Sequence, residues 1–86
     1  MKKRILVIDD DTDLCRLLKD NLEQENYDVR TCCDGEAGIR EFGRTEYHLV
    51  VLDIMLPRKN GYEILKEIRE RSCVPVLLLT ARDSEG

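Results

Sequence analysis

The sequence predicts an α/β fold, a doubly wound parallel sheet whose four strands alternate with three helices in the order βαβαβαβ. Short apolar runs without helical periodicity lie at 5–8, 49–52 and 76–79, and they are typical of strands buried on both faces of a sheet. Segments with apolar residues at helical spacing lie between these runs. Strands and helices in this order form right-handed βαβ crossovers, which favour a parallel sheet.

Length, composition and charge limit the class of protein. Eighty-six residues allow one domain at most and exclude a two-domain enzyme. Charged residues make up 37% of the chain with both signs interleaved, which indicates solvated helix faces. The net charge of −4 argues against non-specific nucleic-acid binding. No apolar run approaches the roughly 18 residues that cross a bilayer, and we therefore expect a cytoplasmic protein.

The first strand and the first helix follow each other closely. Arg4 to Ile8 form the strand, and the helix begins after Asp11 or Thr12 as its N-cap. Four leucines at helical spacing define the face of this helix that we expect to pack on the sheet: Leu14, Leu17, Leu18 and Leu22.

A second strand and a short helix come next. The alternating pattern from Tyr27 to Cys33 predicts the strand, and Asp34 and Gly35 form the turn after it. The short helix carries three apolar residues and one internal glycine: Ala37, Ile39, Phe42 and Gly38.

The second half of the chain repeats this pattern. Leu49 to Leu52 form a third strand that ends at Asp53, and Asn60 with Gly61 opens a third helix. The apolar residues of that helix are Ile64, Leu65 and Ile68. The fourth strand runs from Pro75 to Leu79 and stops at Thr80. The chain ends at residues 81–86, where a doubly wound domain is expected to continue, so we predict an incomplete domain.

The four cysteines show no Cys-x-x-Cys spacing. They are Cys15, Cys32, Cys33 and Cys73. Adjacent Cys32 and Cys33 would point to opposite faces of a strand. We expect buried thiols without a chemical role, with a zinc site or a disulfide framework as the alternative.

Acidic residues gather at the predicted ends of the strands. Asp9 and Asp10 follow the first strand, Asp53 ends the third, and Thr80 follows the fourth. Ligands of open parallel sheets bind at the carboxyl ends of the strands. If the first and third strands are neighbours, three carboxylates and a hydroxyl lie at one edge of the sheet. The alternative is that each aspartate only caps a helix or ends a strand.

Such carboxylates need a proton or a cation. Two of them about 5 Å apart repel by roughly 3 kcal/mol at an effective dielectric constant near 20. One carboxyl group then takes up a proton at a raised pKa, or a divalent cation binds. A site made only of oxygen ligands suits magnesium, manganese or calcium better than zinc, and we favour magnesium.

These residues resemble the receiver domain of bacterial response regulators, the phosphoacceptor domain of two-component signalling, whose fold is flavodoxin-like and CheY-like. The segments that carry the resemblance are Ile5 to Asp11, Leu49 to Pro57, Gly61, and Pro75 to Ala81. They follow the order and spacing of the family and together span the whole chain.

The resemblance implies specific roles for the residues at the strand ends. Asp53 would accept a phosphoryl group from a phosphohistidine of a sensor histidine kinase. Asp10, Asp53 and the main-chain carbonyl of Met55 would hold Mg²⁺ directly, and Asp9 would orient it through water. Thr80 would donate a hydrogen bond to a phosphoryl oxygen. Ala81 would keep space beside the phosphate, with a small residue at a helix start as the alternative. Pro57 would fix the loop and Gly61 would allow a close approach, with plain loop residues as the alternative for both. Separately, His48 lies at the start of the third strand, and we expect it to be a surface imidazole far from the site.

The chain departs from the family pattern in length and at one glycine. The family continues through a helix, a fifth strand ending in lysine and a last helix. Residues 1–86 would therefore be the N-terminal part of a single receiver domain, without the lysine that pairs with the phosphate in the family. Exposed apolar residues of the third and fourth strands would favour self-association or segment exchange. Gly38, where the family commonly has alanine, would cost up to about 1 kcal/mol of helix stability.

The C-terminal segment and two rival functions complete the expectations. Residues 81–85 resemble transcriptional regulators of the OmpR/PhoB type, in which any DNA contact would come from a further domain. We do not expect an enzyme. One alternative is an aspartyl-phosphate hydrolase of the haloacid-dehalogenase type with Asp9 as nucleophile, although Thr12 lies one position too early for its Asp-x-Asp-x-Thr motif. Another is a receiver-like module that binds metal but is never phosphorylated.

Overall fold

The predicted order of strands and helices is confirmed in the computed structural model, which describes residues 2–56 and 58–79. The elements are β1 (Arg4–Ile8), α1 (Thr12–Gln24), β2 (Asp28–Cys32), α2 (Gly35–Phe42), β3 (Leu49–Asp53), α3 (Gly61–Arg71) and β4 (Val76–Leu79). The strands form one parallel sheet in the order β2-β1-β3-β4. Within these described residues, no helix is long and apolar enough to cross a membrane.

The central pair of strands, β1 and β3, brings the acidic ends of the chain together. Ile8 pairs with Leu52 in register, so Asp9 and Asp53 extend beyond the same edge of the sheet. Both strands are almost entirely buried, as their uninterrupted apolar runs predicted. The first and third strands are therefore neighbours, which is the condition on which the convergence of the carboxylates depended.

Helices cover both faces of the sheet and form two apolar cores. The core on one face contains Ile5, Val7, Cys15, Val29 and Val51, with Leu18 and Leu22 of α1 packed against it. The larger core lies on the other face, beneath α2 and α3, and is centred on Leu6, Ile8, Val50, Leu52, Ile64 and Ile68.

The buried face of α1 differs from the predicted one. Leu17 is 57% exposed, whereas Cys15 is only 5% exposed. Asp11 is the N-cap, and from this start Cys15, Leu18 and Leu22 follow the spacing i, i+3 and i+7 that faces the sheet. Leu17 lies on another side of the helix, so the prediction that all four leucines pack on the sheet was wrong.

Gly38 has a packing role that its helix propensity did not reveal. A Cβ atom at this position would lie 2.5 Å from Ile8 Cδ1 and 2.7 Å from Ile8 Cγ1. Ile8 is fully buried in the middle of the sheet, so its side chain has little room to move. The glycine therefore allows α2 to approach β1 closely, and the expectation that it only weakens the helix is corrected.

The cysteines and His48 also differ in part from expectation. Cys15 is buried and Cys32 half-buried, but Cys33 and Cys73 are exposed, and all four are free thiols. His48 is half-buried, and its Nδ1 accepts a hydrogen bond of 2.9 Å from the Arg4 N–H. It is not a free surface imidazole, because it extends the pairing of β1 and β3 at the edge opposite the acidic one.

Candidate functional site

Three aspartates converge at the carboxyl edge of the sheet. One carboxylate oxygen from each of Asp9, Asp10 and Asp53 lies within 4.8 Å of the others. Asp9 is 3% exposed and Asp53 is 8% exposed, whereas Asp10 is open to solvent. The predicted convergence is confirmed, and the cluster combines two buried carboxylates with one that an incoming ligand reaches first.

Asp9 is held in place by the turn between β1 and α1. Its main-chain N–H donates to the Cys32 carbonyl at 3.0 Å, which extends the pairing of β1 with β2 by one bond. Its Oδ1 accepts from the Asp11 N–H at 2.9 Å, and Asp11 in turn caps α1 by accepting from the Leu14 N–H at 3.1 Å. Such a turn needs only an aspartate at its first position, so Asp9 is the residue whose side chain makes it.

Asp53 is held by the turn after β3. Its Oδ1 accepts from the Met55 N–H at 3.0 Å, and the Ile54 N–H donates to the Leu79 carbonyl at 3.1 Å. The Gly61 N–H donates to the Ile54 carbonyl at 2.9 Å, which brings the start of α3 against this turn. These bonds fix the direction in which the Asp53 carboxylate faces the cluster.

Gly61 fits where no larger residue would. A Cβ atom there would lie 2.6 Å from both the Asp53 carbonyl oxygen and Ile54 Cα. The expected close approach at this glycine is therefore present. The Asn60 side chain and the Glu63 side chain cap α3 reciprocally, so the helix begins at the point of contact with β3.

The negative charges of the three clustered aspartates repel one another. Burial raises the pKa of the Asp9 carboxyl above its ordinary value, and the negative charges of Asp53, Asp10 and Asp11 raise it further. The hydrogen bond from the Asp11 N–H acts in the opposite direction but does not offset these effects. A positive charge among the three carboxylates would relieve the repulsion.

The donor set fits a hard divalent cation. Three carboxylate oxygens this close together supply the oxygen ligands that Mg²⁺ and Ca²⁺ prefer, and neither sulfur nor imidazole belongs to the cluster. The Met55 side chain is 65% exposed and points away from the core, which leaves a role here only to its main chain. The acidic cluster can therefore hold a metal ion.

Three residues with predicted roles lie outside the described residues. They are Pro57, Thr80 and Ala81. The described end of β4, Leu79, pairs with Asp53, so β4 ends at the acidic edge of the sheet.

Comparisons with known proteins agree on one family. Residues 5–86 match the family described as response regulator receiver domain. The chain is 43% identical over 86 residues to the alkaline phosphatase synthesis transcriptional regulatory protein PhoP of Bacillus subtilis, covering 99% of this chain and 36% of that protein. It thus spans about a third of the length of the curated relatives it matches.

Two solved structures of the response regulator TrrA from Thermotoga maritima have the same fold. In its complex with Mg²⁺-BeF, TrrA is 41% identical, with a TM-score of 0.86, covering 92% of this chain and 70% of that one. In the complex of the histidine kinase ThkA with TrrA, the identity is 40% and the TM-score 0.87, covering 95% and 72%. The chain, with its CheY-like α/β fold, belongs to the receiver domain family of two-component response regulators.

Proposed function

We propose that Asp53 accepts a phosphoryl group from a phosphohistidine of a sensor histidine kinase, with Mg²⁺ bound in the acidic cluster. The observation that carries this proposal is the convergence of Asp9, Asp10 and Asp53 at the end of the central strand pair, with oxygens within 4.8 Å of one another. Membership of the receiver family and the similarity to a regulator solved in complex with a histidine kinase support it.

The proposed metal ligands are those that the resemblance to the receiver family implies, and the three clustered carboxylates support them. Asp10 and Asp53 would hold Mg²⁺ directly, together with the main-chain carbonyl of Met55, and Asp9 would orient it through water. When bound, the ion neutralises charge on the carboxylates and on phosphoryl oxygens. The similarity to TrrA, which was solved with Mg²⁺-BeF, favours magnesium over calcium.

Asp53 supplies the nucleophile. The Met55 N–H occupies its Oδ1 at 3.0 Å, so the other carboxylate oxygen is the one presented to the phosphorus atom. In the transfer, a bond from that oxygen to phosphorus forms as the bond from phosphorus to the histidine nitrogen breaks, and the imidazole of the kinase leaves. Such a reaction depends mainly on in-line positioning and charge neutralisation. Thr80 would then donate to a phosphoryl oxygen, and the small side chain of Ala81 would leave space beside it.

The wider context is proposed on the same basis. Residues 1–86 would be the N-terminal part of a single receiver domain in the cytoplasm, acting as a phosphoacceptor and not as an enzyme in its own right. PhoP is a transcriptional regulatory protein, which supports DNA contact through another domain of the protein that contains this chain.

Self-association would involve β4, one of the two edge strands of the described sheet. Among the described residues, β4 pairs only with β3, and Leu77 on β4 is 55% exposed. The expected exposure is thus present on β4, whereas Val51 of β3 is buried. A sedimentation profile that stays monomeric at high concentration would argue against association of this chain.

Phosphoryl labelling tests the proposed function. The protein is incubated with Mg²⁺ and acetyl phosphate, and the intact mass is measured. We expect a gain of one phosphoryl group that is lost in Asp53→Asn and kept in Asp13→Asn, a matched control on the exposed first turn of α1. Loss in Asp9→Asn alone would support the hydrolase. Mg²⁺ binding without any label on Asp53 in the whole protein that contains this chain would support the receiver-like module that is never phosphorylated.

A further inference from the structure

Cys15 lies directly beneath the acidic turn. Its side chain is 5% exposed and packs in the core that α1 covers. Its Sγ lies 3.3 Å from the main-chain carbonyl oxygen of Asp9, to which the thiol donates a buried hydrogen bond. Cys15 is thus the link between the first turn of α1 and the end of β1.

The Asp9 carbonyl occupies a special place in the sheet. The Asp9 N–H makes the last hydrogen bond between β1 and β2, to the Cys32 carbonyl at 3.0 Å. Beyond this point β2 turns away, and among the described residues the donor that reaches the Asp9 carbonyl is the Cys15 thiol. A buried carbonyl that loses its donor is strongly disfavoured, because water does not replace the bond.

We infer that Cys15 is a positioning residue of the acidic site. The Asp9 carbonyl belongs to the peptide unit that joins Asp9 to Asp10, and a peptide unit is planar. The thiol therefore sets the orientation of that plane and, with it, the position from which the Asp10 side chain starts. This inference rests on the proposed function for its consequence, since Asp10 is a proposed direct ligand of Mg²⁺.

Three bonds from three different parts of the chain fix Asp9. Its N–H is held by β2, its carboxylate by the Asp11 N–H at 2.9 Å, and its carbonyl by Cys15. The bond from the Asp11 N–H closes a turn that includes the Asp9–Asp10 peptide unit and limits its rotation. The bond from Cys15 acts directly on the carbonyl of that unit, so its loss loosens this turn and displaces Asp10 while the sheet itself stays paired.

Magnesium titration of three variants separates the donor from the volume of the thiol. Cys15→Val fills a similar space without a donor, Cys15→Ser keeps a donor, and Cys32→Val is the matched control. Cys32 is half-buried, and its side chain packs on the face of the sheet opposite to that of Cys15. The Kd for Mg²⁺ is measured by isothermal titration calorimetry at constant pH.

The displacement of Asp10, a proposed direct ligand, predicts a Kd about tenfold weaker in Cys15→Val. We expect Cys15→Ser and Cys32→Val to stay within about twofold of the wild type. Binding by Cys15→Val within twofold of the wild type would overturn the inference. Equal weakening by Ser and Val would also overturn it, because the hydroxyl retains the donor.

Amide hydrogen exchange tests the same inference without metal. The Asp11 N–H, which donates to Asp9 Oδ1, should exchange about fivefold faster in Cys15→Val, relative to the core amide of Val51. Cys32→Val should leave this ratio unchanged. Unchanged exchange in Cys15→Val would refute the positioning role of Cys15, whether or not the wild type binds Mg²⁺. Failure of the wild type to bind Mg²⁺ would instead count against the proposed function.

Discussion

Gly61→Ala should destabilise the protein by pushing α3 away from the acceptor strand. The added Cβ would lie 2.6 Å from the Asp53 carbonyl oxygen and 2.6 Å from Ile54 Cα, well inside ordinary van der Waals contact. Both contacts are main-chain atoms, so no side chain can rotate away to relieve them. The start of the helix or the end of β3 must move instead.

The expected change in the free energy of unfolding is the sum of three contributions. Overpacking against a rigid neighbour costs up to about 3 kcal/mol. Displacement weakens the hydrogen bond of 2.9 Å from the Gly61 N–H to the Ile54 carbonyl, worth about 1 kcal/mol. The higher helix propensity of alanine returns at most about 1 kcal/mol. We therefore expect a net loss of about 3 kcal/mol in the free energy of unfolding.

Urea unfolding followed by circular dichroism measures this loss, with Gly43→Ala as the matched control. Gly43 ends α2 with φ of −79°, and the nearest atom to an added Cβ lies 3.5 Å away. That variant should unfold within about 0.5 kcal/mol of the wild type or be slightly more stable. Equal stability of Gly61→Ala and Gly43→Ala would refute the argument that α3 is packed against the turn after Asp53.

Three further predictions concern other parts of the molecule. Gly38→Ala should lower the free energy of unfolding by about 1–2 kcal/mol despite its better helix propensity, because the Cβ meets buried Ile8; greater stability in urea would contradict this. Iodoacetamide at pH 8 should modify exposed Cys73 well before Cys15, whose pKa burial raises to about 11, and peptide mapping that finds equal rates would refute the burial of Cys15. Because burial raises the folded pKa of Asp9 above 3.8, the stability that its proton supplies is complete below that pH and is lost as pH rises through the folded value. In EDTA, Asp9→Asn should therefore lose less stability than the wild type as the pH rises through the folded pKa of Asp9. Urea midpoints that change with pH by the same amount in both proteins would contradict this.

The architecture and the acidic cluster could be predicted from the sequence because both follow from local patterns. Uninterrupted apolar runs identify strands buried on both faces, and a parallel sheet places all carboxyl ends at one edge. Asp9, Asp10 and Asp53 could therefore be expected to meet, given the adjacency of two strands. Their separation and their burial depend on register, which came only from the structure.

The remaining features depend on contacts between distant residues. Nothing in the sequence near Gly38 shows that Ile8 packs against it, and four leucines alone do not show which side of α1 meets the sheet. The hydrogen bond from the Cys15 thiol to the Asp9 carbonyl has no sequence pattern of its own, because buried cysteines often serve only as small apolar core residues. Sequence patterns give the faces of helices and strands, whereas the pairing of individual atoms across those faces is a tertiary property.

The most direct test of the central claim is a magnesium titration of the wild type, Asp10→Asn, Asp53→Asn and Asp13→Asn at neutral pH, with heat release as the signal. We expect saturable binding at one site in the wild type and in Asp13→Asn, and a large loss of affinity in Asp10→Asn and Asp53→Asn, because each of these two removes a carboxylate from the cluster. Affinity that falls equally in all three variants would show that only net charge attracts the ion, and it would contradict a site built by the ends of β1 and β3.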